Sequence, residues 1–147
     1  METSQIIADL TSQEAEGVRR GGWFVITNSQ NERIIKPLIP YLPVIASKAQ
    51  GLKLGGGFAP NSRFGEYAIK VIEHYSKNNG CSCSLFPTIG LDLNPEKEYN
   101  NIAVLKTVKI EDKWIDYYLV NCNKCGQLFK VFERMGHWVF YEWKRLD

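Results

Sequence analysis

The residues most able to do chemistry in this chain are its four cysteines. They fall as a C-x-C pair, Cys81 and Cys83, and a C-x-x-C pair, Cys122 and Cys125. Thiolates at such spacings reach a single ion from tight turns, and a structural zinc takes four ligands in a closed tetrahedral set. Four sulfurs complete that set, whereas a catalytic zinc keeps one position for water or substrate. The pattern therefore points to a structural zinc held by Cys81, Cys83, Cys122 and Cys125. Metal-free thiols and disulfides are the alternatives. Disulfides fit poorly with a composition that reads as intracellular.

The second pair lies in the turn of a hairpin pattern. "CNKCG" resembles the C-P-x-C-G knuckle of zinc ribbons, with Asn123 where proline is common. Gly126 lets the backbone turn so that amides face sulfur. C-x-C followed by C-x-x-C is also similar to the zinc-thiolate switch of a redox-regulated heat-shock chaperone. That likeness rests on the cysteines alone and keeps a redox sensor as an alternative.

Other chemistry is sparse. His74 falls at the edge of a helical apolar face and reads as a packed or solvent-edge histidine. His137 sits in a turn before Trp138, where it reads as a turn residue more readily than as a fourth ligand. No G-x-S-x-G occurs, and no serine, threonine or cysteine has a patterned base. Glu14 with Glu16, Glu96 with Glu98, and Glu111 with Asp112 read as solvated charge. "LGGGFAPNS" at 54–62 lacks the lysine and hydroxyl of a phosphate loop and reads as a glycine-rich turn. The chain is expected to be no enzyme.

The elements that would position the cysteines follow from periodicity. Ile6, Ile7, Leu10 and Val18 line a short N-terminal helix, with a second start near Thr11. "GGWFVITN" at 21–28 reads as a strand. A helix is expected from about Pro40 to Gln50, ended by Gly51. The clearest helix runs from Asn61 or Ser62 to about Lys77. Its face is Phe64, Tyr67, Ala68, Val71, Ile72 and Tyr75. Residues 87–101 read as a connecting loop. Beyond them the period becomes two, and "IAVLKTVKI", "WIDYYLVN", "QLFKVFE" and "WVFYEWK" read as four strands. Their short joints imply an antiparallel meander.

The fold class is thus α+β: N-terminal helices packed on a C-terminal antiparallel β-meander, stapled by the zinc site. One domain is expected, with a helical part of about 1–80 and a sheet part of about 101–147. Apolar residues make up 44% and charged residues 23% of the 147, and the net charge is +2. That balance is globular and argues for neither nucleic acid nor an anionic membrane. No apolar run approaches a membrane span, and "METSQIIADL" lacks a leader's basic and apolar regions. A cytoplasmic protein is expected.

Both faces of the four strands carry apolar residues, so the sheet is either covered twice or offers one face to a partner. An aromatic sheet beside lysines can stack bases, but the acids interleaved among them disfavour nucleic acid. "CSCSLF", then "DKWIDYYLVNCNKCGQLFKVFE", then "HWVFYEWKRL", preceded by "GLKLGGGFAPNSRF", resembles small bacterial proteins of the immunity type, which accompany secreted or contact-delivered toxins. The likeness is of general form and spans roughly residues 38–147. It implies a non-enzymatic binder of one protein, a toxin, and carries over no binding residue. Exposed candidates for such contact are the acidic stretch "NPEKEY" at 94–99 and the outer side of the last strand near Trp143.

Overall fold

Apolar residues at helical spacing dominate the first half of the chain, and alternating ones dominate the last third. The computed structural model describes residues 1–53, 62–89, 92–137 and 139–147. These residues form two compact units, Met1–Ser82 and Cys83–Asp147. The expected helical part lies within the first unit and the expected sheet part within the second.

The first unit contains α1 (Thr3–Thr11), α2 (Ala15–Thr27), α3 (Glu32–Ile35), α4 (Leu42–Ala49) and α5 (Ser62–Ser76). A 3₁₀ turn, Lys36–Tyr41, takes up the proline-rich lead-in to α4. The expected stripe of α5 is present, with Ala68, Val71 and Ile72 fully buried. They pack in a core with Ile6 and Leu10 of α1, Val18, Val25 and Ile26 of α2, and Ile45 of α4. The residues read as the cap and preceding loop of α5, 54–61, lie outside the described residues, as does Trp138.

The strand expected at 21–28 is a helix. Trp23, Phe24, Val25 and Ile26 favour strands locally, but tertiary packing overrides a propensity worth about 1 kcal/mol across its whole scale. The buried residues Val18, Gly21, Gly22, Val25 and Ile26 recur at i, i+3, i+4, i+7 and i+8, a single helical face. Gly21 and Gly22 do not open a strand. A Cβ on Gly22 would stand 2.5 Å from the Phe64 carbonyl oxygen, and one on Gly21 would stand 2.8 Å from Asp9 Cβ. Gly22 lets α2 approach the α5 backbone, and Gly21 lets it close on the Asp9 and Leu10 side chains of α1. Trp23 then meets Phe64 edge-on, with centroids 6.0 Å apart. Asp9, buried, accepts from Arg20 Nε at 2.8 Å, Arg20 Nη2 at 2.6 Å and Gln5 Nε2 at 3.0 Å, joining α1 to α2.

The second unit is a four-stranded antiparallel sheet in the order β1-β2-β3-β4, the expected meander. Its strands are β1 (Ile102–Ile110), β2 (Trp114–Cys122), β3 (Leu128–Met135) and β4 (Val139–Arg145). Glu111 and Asp112 both take positive φ in the β1–β2 turn, closed by Lys113 N–H donating to the Ile110 carbonyl at 3.0 Å. One face of the sheet carries the core: Val120, Phe129, Val131 and Trp143 are buried.

Residues 87–101 are not a plain loop. They include most of α6 (Phe86–Ile89) and all of α7 (Leu93–Glu98). Pro87 and Pro95 look like breakers in the sequence, yet each falls in a first turn, where proline costs no hydrogen bond. Asp92 Oδ1 accepts from Asn94 N–H at 2.9 Å at the start of α7. Phe86 of α6 closes the core, with its ring centroid 5.8 Å from Phe129 and 5.2 Å from Trp143. Trp143, read as lying near an exposed edge, is therefore a core residue. Alternation across the strand leaves Phe140, Glu142 and Lys144 on the outer side. No helix among the described residues is long and apolar enough to cross a membrane.

Candidate metal centre

The two cysteine pairs are placed by different means. Cys81 follows the end of α5, where Gly80 takes φ +83°. Side chains fix the short segment between. His74, buried near the end of α5, donates from Nε2 to the Gly80 carbonyl at 2.9 Å. Tyr75 Oη and Ser82 Oγ both donate to the Ser29 carbonyl, at 2.6 and 2.8 Å. Cys81 Sγ lies 3.4 Å from Gln30 Oε1. The backbone beyond α5 is thus held against the segment that follows α2. Cys83 is buried in the 3₁₀ turn Ser82–Leu85 that leads into α6.

Cys122 ends β2 and Cys125 precedes β3. Gly126, at φ +81°, donates its N–H to the Cys122 carbonyl at 2.8 Å and closes the turn. Within it the Lys124 N–H points at Cys122 Sγ, 3.4 Å away. An amide aimed at a turn sulfur is what a thiolate ligand accepts, and only a residue tolerant of positive φ permits that turn. Asn123 anchors the knuckle from outside: its N–H donates to the Asn101 carbonyl, and its side-chain amide donates to the Asn100 carbonyl, both at 2.9 Å.

The fold brings all four sequence-predicted ligands together. Their Sγ atoms lie within 4.8 Å of one another, and none is in a disulfide. Cys83 Sγ and Cys125 Sγ are 3.5 Å apart. Sulfurs at the corners of a zinc tetrahedron stand about 3.8 Å apart, from a metal–sulfur distance of about 2.3 Å. The cluster is therefore already close to the size a thiophilic ion requires. Cys83 and Cys122 are buried, Cys81 is half-buried and Cys125 is exposed, so the site has an inner wall and an open rim. Neither His74 nor His137 belongs to this cluster.

One residue near the centre was misread in the sequence. Glu96, placed in an exposed acidic stretch, is fully buried. Its Oε2 accepts from Asn101 Nδ2 at 2.7 Å, while its Oε1 has no hydrogen-bond partner among the described residues. Burial pushes its carboxyl up to about 7; the Asn101 hydrogen bond opposes this and the Cys122 thiolate adds to it. Asn101 also donates its backbone N–H to the Glu96 carbonyl at 2.9 Å, so this pair supports the same Asn101 that holds the knuckle. Nothing in the polar stretch 94–99 marks this burial in the sequence; it follows from α7, whose first turn accommodates Pro95. Glu98 remains exposed.

No protein-family model, curated protein or solved structure matches this chain.

Proposed function

We propose that this chain is a non-enzymatic binding protein, folded around a structural zinc, that acts by holding one protein partner. The reading extends to the immunity type, in which the partner is a toxin and the complex is inactive. The observation that carries it is the closed set of four thiols. Four sulfurs within 4.8 Å of one another are enough to fill the coordination of zinc and would leave it no position for water or substrate. An all-thiolate set suits zinc, as it also suits iron–sulfur centres. Bound there, it supplies a cross-link and charge neutralisation. The chain's own part is to hold the sulfurs: Gly126 makes the turn, the Lys124 amide faces Cys122, and His74 and Ser82 fix the approach of Cys81. Binding free energy at such a site is folding free energy.

Two measurements test the reading. Metal analysis of protein purified without chelator should find one zinc per chain. Capture from the native host with the zinc-loaded chain should retain a specific protein whose toxicity the chain suppresses when both are expressed. Turnover of a substrate by the purified chain, lost on substitution of His74 or His137, would replace the binder with an enzyme.

A redox sensor is the second reading. Exposed Cys125, 3.5 Å from Cys83, favours it. Peroxide would oxidise that pair to a disulfide, reducing peroxide to water and releasing the metal. Metal release at micromolar peroxide would support this reading over a purely structural zinc.

A further inference from the structure

The face of the sheet opposite Phe129, Val131 and Trp143 is ordered in rows. Pairing places Lys106, Leu119, Lys130 and Lys144 side by side across the four strands. The next row is Val108, Tyr117, Phe132 and Glu142. In the third, Lys109 stands opposite Ile115, and Arg134 opposite Phe140. Lys106, Lys109, Lys144 and Phe140 are exposed, and the central Tyr117, Leu119, Lys130 and Phe132 are half-buried.

Lys130 and Lys144 are direct cross-strand neighbours of like charge, an arrangement that costs stability in an antiparallel pair. Neither these two nor Lys106 has an ion pair among the described residues. Instead the Lys130 and Lys144 ammonium groups lie over rings of the adjacent row. Lys130 Nζ is 4.7 Å from the Tyr117 centroid and Lys144 Nζ is 5.3 Å from that of Phe132. The Arg134 guanidinium lies 4.7 Å from the same Phe132 ring and pairs loosely with Asp116 Oδ1 at 3.5 Å. Glu133, one of the acids interleaved in the sequence, is on the other side, where Tyr118 and Tyr141 donate to it. Glu142 is the only acid in these rows. The +2 of the whole chain thus conceals a basic face.

We infer that this face docks an acidic surface of the protein partner, with carboxylates meeting the row Lys106, Lys130 and Lys144 over the Tyr117–Phe132 pair. The inference rests on the binder reading above and names the chemistry of its partner. Carboxylates relieve the Lys130–Lys144 repulsion, and the rings and Leu119 supply the apolar centre on which binding energy concentrates. Single-stranded nucleic acid fits less well. Base stacking needs bare ring faces, and here cations cover them.

The test uses the zinc-loaded full chain, with poly-L-glutamate as the acidic probe and poly(dT) as the nucleic-acid probe. Poly-L-glutamate should bind, more weakly as salt rises, and should shift the backbone amide resonances of Tyr117, Lys130, Phe132 and Lys144. Lys130→Glu with Lys144→Glu should weaken this at least tenfold. Lys48→Glu with Lys53→Glu, the same charge change at exposed positions elsewhere, should weaken it less than twofold. Lys144→Glu alone excludes a folding artefact, because it places opposite charges across β3 and β4. It should raise the unfolding midpoint while lowering affinity. Equal losses in both double variants, or no binding of poly-L-glutamate, would overturn the inference. So would tighter binding of poly(dT) that Tyr117→Ala abolishes. A captured protein partner that binds the Lys130/Lys144 variant as well as the parent would sink this inference and leave the binder reading standing. Failure to capture any protein partner would sink that reading instead.

Discussion

Glu96 and Asn101 form a buried pair in which the amide donates to one carboxylate oxygen at 2.7 Å and the other oxygen has no partner among the described residues. The folded state therefore favours the protonated acid, which holds its proton up to about pH 7. A raised carboxyl contributes stability that is fully present below its unfolded value, near 4.5, and is lost as pH rises through 7. The difference between those limits is about 3 kcal/mol. Metal loading runs the other way, since thiols must lose protons to bind. The comparison is therefore Glu96→Gln against the parent at each pH. The variant's unfolding midpoint should match the parent's at pH 5 and exceed it at pH 8. A constant gap across that range would show that Glu96 does not titrate in the folded protein.

Removing one sulfur should cost more than any change beside it. Cys122→Ser deletes a buried sulfur at the tip of β2, while Ser84→Ala touches an exposed side chain next to Cys83. The first should lower the midpoint markedly and abolish zinc retention, and the second should do neither. A strong chelator should bring the parent's midpoint down toward that of Cys122→Ser and leave the variant's unchanged. Equal midpoints for the two variants would argue against a metal that holds the fold.

The close approach at Gly22 should be intolerant of a methyl group. The added carbon would sit 2.5 Å from a backbone oxygen of α5, which no side-chain rotation can move. Gly22→Ala should destabilise by about 3 kcal/mol, at the upper end of ordinary overpacking, despite alanine's better helix propensity. Chemical denaturation measures it. A neutral or stabilising result would mean that α2 and α5 do not pack at this distance.

Asp9 is buried against Arg20, whose side chain is 49% exposed. The hydrogen bonds from Arg20 hold its carboxyl below the ordinary value of 3.8 against the opposing effect of burial. A depressed acid contributes stability above its unfolded value and loses it as pH falls through the folded one. Asp9→Asn should therefore lower the midpoint at pH 7, with the gap closing below about pH 4. The same gap at pH 3 as at pH 7 would show that the Asp9 charge contributes nothing.

The sequence by itself determined the elements whose cause is local. The stripe on α5 and the alternation of the four strands stand in the residue order, because side chains repeat with the backbone's own period. The cysteine spacing likewise picked out the four thiols that the fold gathers, since sulfurs two or three residues apart in a tight turn can reach the same point. Tertiary structure decided what depends on a neighbour distant in the chain. Residues 21–27 are helical because Gly21 and Gly22 meet Asp9 and Phe64, contacts that β-favouring Val25 and Ile26 do not reveal. Glu96 is buried because α7 turns one side inward, and an acid in a polar stretch gives no sign of that. The basic face emerged only when pairing set Lys130 beside Lys144 and put Glu133 on the other side. Along the chain those charges alternate and cancel; across the sheet they separate, because neighbouring residues of a strand point to opposite faces.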